Sequence, residues 1–401
     1  HFQPVKGTEE FPSLESYPLL QDLEFWKTFK GPFYGFNHVE LARNHTDEAL
    51  VGQHYALWME QKGCKNWRDY FRPPTGNNDR QRHKWLIPEA YHYDAWIAER
   101  TNVLMEEEHN RGQSFFIWAS FFDPHPAYLV PEPWDTMYDP GELTVPSITD
   151  DEHKENPPHF QLTQQENPDF SAWKESGYQM HGFQSHVHNK KSLAGDIAIY
   201  YAMISLMDKY IGKILAKLEE LGLEDNTLVV FSSDHGHFFG QHGLIAKGAF
   251  HYEDLIKVPL IVRYPDRISA GRRSEALQSL VDLAPTFLSL AGLDVPRTMT
   301  GLNQSKVWLG EREQLREHII VENHHEPTTI HLKTYVDQRY KITVYYKHDY
   351  GELFDLQEDP REINNLWNKS EYGDLKTKLM TKLLFAEMGK EPLWMPRITG
   401  A

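Results

Sequence analysis

Thr227-Leu228-Val229-Val230-Phe231-Ser232-Ser233-Asp234-His235-Gly236 is the stretch on which the fold turns. A run of apolar and β-branched residues closes in a polar tip and then a glycine. That reads as a strand covered on both faces, stopping at a turn. Upstream, Ile197, Tyr201, Ile204, Met207, Ile211, Leu215, Leu218 and Leu221 recur three and four residues apart, and Gly222 ends the run. The spacing predicts a long amphipathic helix that feeds the strand. Downstream, Val258-Pro259-Leu260-Ile261-Val262-Arg263 predicts another strand, and Leu280 to Ala291 another helix. Such alternation predicts an α/β protein with a mostly parallel central sheet flanked by helices.

Further out the same signals recur. Thr46, an N-cap type, opens a helix to about Lys62, which Gly63 stops. A second helix runs from Asp94 to about His109, with Trp96, Ile97, Val103 and Leu104 as its apolar stripe. Ser114 to Phe122 is nearly all apolar, predicts a strand buried on both faces, and ends at Asp123-Pro124-His125. Residues 126–191 form a long polar stretch, a type of loop that is functional or mobile. Past Gly310 the pattern shortens. His318–Val321, Ile330–Tyr335, Tyr340–Tyr345 and Glu352–Leu356 predict a small antiparallel sheet, and Glu371 to Met388 a terminal helix. The expected division is an α/β domain over 1–310 and a small α+β subdomain over 311–401.

Composition bounds the function. The chain has 401 residues, 40% of them apolar, and a formal charge of −17. So acidic a surface argues against a nucleic-acid partner held through phosphates, but not against a small anion in a locally positive cleft. No window reaches the ~18 apolar residues of a membrane span. The single cysteine, Cys64, cannot make an internal disulfide and reads as a surface or half-buried thiol. The 52 aromatic residues (11 Trp, 20 Tyr and 21 Phe) suit either a large core or a cleft that stacks sugar or aryl rings.

Ligands of open α/β sheets gather at the carboxyl ends of strands. Two predicted strands end in polar clusters, Asp123-Pro124-His125 and Asp234-His235-Gly236. Asp234 offers a carboxylate to a hard divalent cation. His235 beside it suits Mn²⁺ or Zn²⁺ better than Ca²⁺. Taken alone, the pair reads equally as a turn cap with a polar neighbour.

The neighbourhood changes that. Ser232-Ser233-Asp234-His235-Gly236, Gly240-Gln241-His242-Gly243, Lys247-Gly248, Tyr252-Glu253 and Val258-Pro259-Leu260-Ile261 together closely resemble the sulfatase family of the alkaline-phosphatase-like superfamily. Phe115 to His125, and Gly351-Glu352-Leu353-Phe354-Asp355-Leu356 with Asp359-Pro360, are similar to other family signatures. The resemblance implies that Asp234 and His235 are metal ligands, that Lys247 grips sulfate, and that His125 binds sulfate on the leaving-group side. His242 is a candidate for the substrate pocket, and reads equally as a residue behind it or as turn structure. His1 fits the last residue of a Gly-Lys-x-His motif that also lines it. By resemblance the metal is Ca²⁺. Ligand softness alone admits Mn²⁺ or Zn²⁺.

The chain departs from the family in one place. The family's nucleophile is a formylglycine made from Cys or Ser in a Cys/Ser-x-Pro-x-Arg motif, and Cys64-Lys65-Asn66-Trp67-Arg68 does not match it. That motif and the family's first acidic pair are expected upstream of His1. His181, His186 and His188 read as a solvated polar loop, with substrate contact the alternative. Asn44-His45-Thr46 matches a glycosylation sequon.

The expected function is therefore hydrolysis of a sulfate ester on a small sulfated sugar or aryl substrate. A phosphonate monoester or phosphodiester hydrolase of the same fold, and a non-catalytic anion- or glycan-binding relative, are the alternatives. The resemblance favours a periplasmic or secreted home and leaves a cytoplasmic one open. Oligomeric state is not legible.

Overall fold

The computed structural model describes residues 13–43, 46, 50–72, 82–173, 181–324 and 330–390. They gather in two compact units, one of residues 1–144 with 190–224, the other of 145–189 with 225–401.

The first unit is helical. Its longer helices are Gln53–Gln61, Tyr93–Asn110 and Lys190–Glu220; the last two lie close to those expected, but the first is capped at Gly52 and not at Thr46. The longest buries Leu193, Ile197, Met203, Leu206 and Tyr210; of the predicted stripe Ile197, Met207 and Leu218 are buried while Tyr201 and Leu215 are exposed, so the core face is turned from the one expected. In Tyr93–Asn110 the stripe shifts: Trp96 and Ile97 are buried, but Met105 takes the place expected of Val103 and Leu104. His92 caps that helix, its Nδ1 accepting the N–H of Asp94 at 3.2 Å. The core is largely aromatic, with Tyr55, Trp67, Phe71, Trp85, Tyr93 and Trp96 all buried. Each such ring contributes roughly 1.5–3 kcal/mol by burial. Cys64 is buried in the same core, and burial pushes its thiol up. Residues 114–122 are not a two-faced strand. They carry no ladder among the described residues. Ala119, Phe121 and Phe122 pack on the core while Trp118 is 71% exposed. An apolar run says that burial is favourable, not that neighbours exist on both sides.

The second unit holds every named strand. β1 (Val229–Ser232) pairs with β4 (Leu260–Arg263), and β2 (Phe238–Phe239) with β3 (Ile245–Ala246). Both pairings are antiparallel, Val230 opposite Val262 in the first. The β1–β4 pair runs against the mostly parallel order expected of the central sheet. A parallel pair needs a crossover of about a dozen residues or more, usually a helix. Here the intervening chain is spent on the β2–β3 hairpin and a single helical turn, Glu253–Ile256.

The small C-terminal sheet is found as expected. β5 (Ile319–His324), β6 (His331–Val336), β7 (Tyr340–Tyr345) and β8 (Gly351–Asp355) lie in sequence order, all antiparallel. Its faces divide by the strand period of two. Tyr335, Ile342 and Leu353 meet Leu379 and Leu383 of the terminal helix, Gly373–Gly389. Leu332, Tyr345 and Phe354 face the other way, onto Phe160, Phe250 and Tyr252. On that inner face Thr334 bonds Thr343 at 2.8 Å and His251 at 2.7 Å. Lys341, fully buried, donates to the carbonyl of His251 and pairs with Glu362. The stretch expected to be mobile is partly packed: His153, His159, Phe160 and His186 are all buried. Among the described residues no helix is long and apolar enough to cross a membrane.

Candidate active site

The polar tip after β1 is built by close backbone contact. Ser232 donates its hydroxyl to the carbonyl of Pro259 at 2.9 Å, tying the strand end to the start of β4. Gly236 donates its N–H to Leu255 at 2.7 Å. A Cβ at Gly236 would lie 2.0 Å from the Asp254 carbonyl, so only glycine admits this approach. The turn leaves Asp234 with its side chain 84% exposed and His235 with 33%. Its carboxylate accepts the His235 N–H at 2.9 Å.

Lys247 arrives by the β2–β3 hairpin. Phe238 and Leu244 are buried anchors, and the turn between them uses Gly240 and Gly243 at positive φ. The hairpin carries Lys247 Nζ to 3.1 Å from His235 Nε2. His186 supports it from beneath. Its Nδ1 accepts the N–H of Ile245 at 3.0 Å and its Nε2–H donates to Gly182 at 2.8 Å. Burial, first, pushes the His186 imidazole down to about 4, so it stays neutral. His186 is therefore a buried strut, not part of a solvated loop. His188 bonds the His186 carbonyl through Nδ1 at 2.8 Å.

Hydrogen bonding sets the His235 tautomer. Nδ1 lies 2.7 Å from the carbonyl of Gly236, an acceptor only, so Nδ1 carries the proton. Nε2 then presents its lone pair beside Asp234 Oδ2, 3.4 Å away. Two atoms each ~2.0–2.4 Å from one ion stand about 3–3.5 Å apart. The pair present thus fits two ligands of a divalent cation, with the second ring nitrogen fixed as metal-ligating histidines require.

His242 sits in a different environment. It is buried at positive φ, with Nδ1 on Glu152 and Nε2 3.5 Å from Asp254. Its carbonyl accepts from His153 Nε2 at 2.8 Å. Burial opposes its charge, but Asp254 and Glu152 outweigh that and hold the imidazole above its usual range. His242 and Asp254, with Ser147, Gln241, Lys257 and Arg361, border a cleft of about 470 Å³. Glu152 and Asp254 were not anticipated. Ninety positions separate Glu152 from His242, and no local spacing signals such a pair.

His125 belongs to the first unit, where it is exposed and its Nδ1 meets the carbonyl of Pro126. His1 lies outside the described residues, as do Asn44 and His45 of the sequon. The structure thus brings together Asp234, His235 and Lys247, and places His242 in the adjoining acidic clamp.

A model of the Sulfatase family matches residues 40–293, and one described as the C-terminal region of N-sulphoglucosamine sulphohydrolase matches 240–388. An N-acetylglucosamine-6-O-sulfatase of Bacteroides thetaiotaomicron is 37% identical over 46% of this chain and 34% of its own length. An arylsulfatase of Clostridium perfringens is 25% identical over 88% of this chain and 70% of its own. This chain therefore spans between about a third and two thirds of several curated relatives. Among solved structures, a phosphonate monoester hydrolase from Silicibacter pomeroyi superposes with TM-score 0.74 at 22% identity. The match covers 96% of this chain and 76% of that one, and it shows the alkaline-phosphatase-like α/β fold.

Proposed function

This chain belongs to the sulfatase family, and on that footing we propose that it carries the metal-and-anion side of a sulfate-ester hydrolase. The observation that supports this reading is Lys247 Nζ held 3.1 Å from His235 Nε2, beside the exposed Asp234 carboxylate. Family membership implies a divalent metal and a formylglycine. When bound, the metal would draw charge from the sulfuryl oxygens. Asp234 and His235 would hold it, and we favour Ca²⁺ by family, with Mn²⁺ or Zn²⁺ admitted by the imidazole.

With the His235 lone pair turned to a cation, Lys247 directs its ammonium hydrogens to a sulfuryl oxygen. An ammonium aimed where charge develops is worth more in the transition state than in the ground state. His125 is assigned to the departing oxygen, where an imidazole supplies a proton or hydrogen bond. His242 is assigned to the substrate pocket through the cleft that it borders, and His1 to the sulfate pocket. The substrate class is a sulfated sugar or aryl sulfate, in keeping with the named activities of the relatives above. Residues 311–401, with their sheet and helix, are assigned as a C-terminal subdomain.

The test is hydrolysis by the full-length protein of matched aryl esters, a sulfate and a phosphonate. A faster rate on the sulfate is expected. A faster rate on the phosphonate would move the reading to a phosphonate monoester hydrolase. No turnover of either by folded, metal-loaded protein would leave an anion-binding relative.

A further inference from the structure

Away from the Asp234 cluster, the first unit buries a second set of metal-ligating groups. His92 and Asp94 are 0% exposed and Asp123 6%. One ligand atom from each lies within 4.8 Å of the others. His92 Nδ1 stands 3.6 Å from Asp94 Oδ2. Asp94 faces Asp123 carboxyl to carboxyl.

The electrostatics of this trio are unbalanced. Tyr93 donates its hydroxyl to Asp123 Oδ1. Neither oxygen of Asp94, and not Oδ2 of Asp123, has a hydrogen-bonding partner among the described residues. Tyr55 and Tyr93 lie near enough to feel both acids, and neither brings positive charge. Two desolvated carboxylates in contact cannot both ionise unless something positive lies between them. A single shared proton satisfies two oxygens and leaves a third orphaned. A cation takes one oxygen from each carboxylate and the imidazole lone pair, and its charge compensates both acids at once.

We propose that His92, Asp94 and Asp123 form a second, buried divalent-cation site, distinct from Asp234 and His235, which holds the Asp123-Pro124-His125 turn to the start of the Tyr93–Asn110 helix. One nitrogen and two carboxylates suit Mn²⁺, Fe²⁺ or Zn²⁺ better than Ca²⁺. The 3.6 Å spacing of His92 Nδ1 and Asp94 Oδ2 is that of two ligands meeting one ion at about a tetrahedral angle. Binding costs the helix its His92 cap, because the same lone pair now serves the amide of Asp94. The role is positional: the ion fixes a turn two residues from His125.

The test uses full-length protein, stripped with EDTA and reloaded with Mn²⁺ or Zn²⁺ alone. Bound metal is counted by elemental analysis, and melting is followed with and without metal. Wild type is expected to hold two equivalents, Asp234→Ala one, Asp94→Asn one, and the double variant none. Asp94→Asn is also expected to melt higher than wild type when both are metal-free, since it removes one of two apposed acids. His92→Gln, which keeps both acids, is expected to lose the same equivalent. An unchanged metal count in both Asp94→Asn and His92→Gln overturns the proposal in favour of a shared proton. Should the sulfate-site reading alone fail, Asp234→Ala would match wild type while Asp94→Asn still lost one equivalent.

Discussion

The imidazole of His242 lies flat on the ring of Tyr252, centroids 3.6 Å apart and planes 3° from parallel. Asn156 holds the Tyr252 hydroxyl at 2.9 Å, and Lys341 stands 5.7 Å over the same ring. The His242 imidazole, the buried Lys341 side chain and three buried glutamates, Glu152, Glu352 and Glu362, therefore share one small volume. Breaking such a network at one member leaves its partner charged and desolvated.

Glu152→Gln is expected to destabilise the protein by about 3 kcal/mol near pH 6, the scale for removing one partner of a buried pair. The sign with pH follows from both partners. His242 is held above 6.5 in the fold, so its contribution is complete below pH 6.5 and fades as pH rises through the folded value. Glu152 is held below 4.5: burial raises it and His242 more than reverses this. Its contribution is present above pH 4.5 and fades as pH falls through the folded value. Urea unfolding of variant and wild type from pH 4 to 9 should show their gap widest between those limits. A constant gap would contradict the ion pair.

Three buried histidines should make the protein acid-labile. His159 and His251 are pushed by burial to about 3, and His186 to about 4. Each folded value is depressed below 6.5, so the unfolded chain binds the proton first and stability falls as pH drops below 6.5. At pH 5 each one costs about 2 kcal/mol, taking 1.36 kcal/mol per unit. Equal urea midpoints at pH 7 and pH 5 would refute this.

Lys341→Met is expected to cost roughly 3–5 kcal/mol, because it strands Glu362 in the interior. Adding Glu362→Gln should recover part of that loss, although Glu362 also accepts the N–H of Glu253 at 2.7 Å. A double variant no more stable than the single one would show that the charge pair is not the reason.

Lys247→Ala should lower kcat on an aryl sulfate by about 10²–10³-fold, the range for losing one preorganised donor. KM should move far less. Steady-state kinetics on the full-length protein, with folding checked by melting temperature, decide it. A change confined to KM would make Lys247 a ground-state binder only.

Two glycines should respond in opposite directions to alanine. At Gly236 the new methyl meets the Asp254 carbonyl at 2.0 Å, so the turn carrying Asp234 must shift and stability and activity fall together. At Gly212, inside the Lys190–Glu220 helix, nothing lies within 4 Å, and about 0.5–1 kcal/mol of added stability is expected. Melting temperatures of the two variants test both.

What was legible in the sequence was whatever a short window encodes. The apolar run into Ser232-Ser233-Asp234-His235-Gly236 gave the strand and its polar tip, but not its burial, since Val229–Ser232 is half-buried throughout. The spacing from Ile197 to Leu221 gave the long helix, and the four short runs after Gly310 gave the C-terminal sheet. What stayed hidden depends on which distant segment comes alongside. The direction of β1 against β4 is one case, because apolar runs carry no polarity. The Glu152–His242 and Asp94–Asp123 pairings are others: acids and histidines mark surfaces in a sequence, and only folding shows these buried.

The order of β5 to β8 has a kinetic consequence. Every strand in that sheet pairs with the next one along the chain, so each pairing closes a short loop. Short loops carry little closure entropy, and structures rich in them form quickly. The meander is thus expected to assemble early, supplying a surface on which Phe160, Phe250 and Tyr252 condense. The Glu152–His242 clamp, which must close ninety residues of chain, would lock only afterwards.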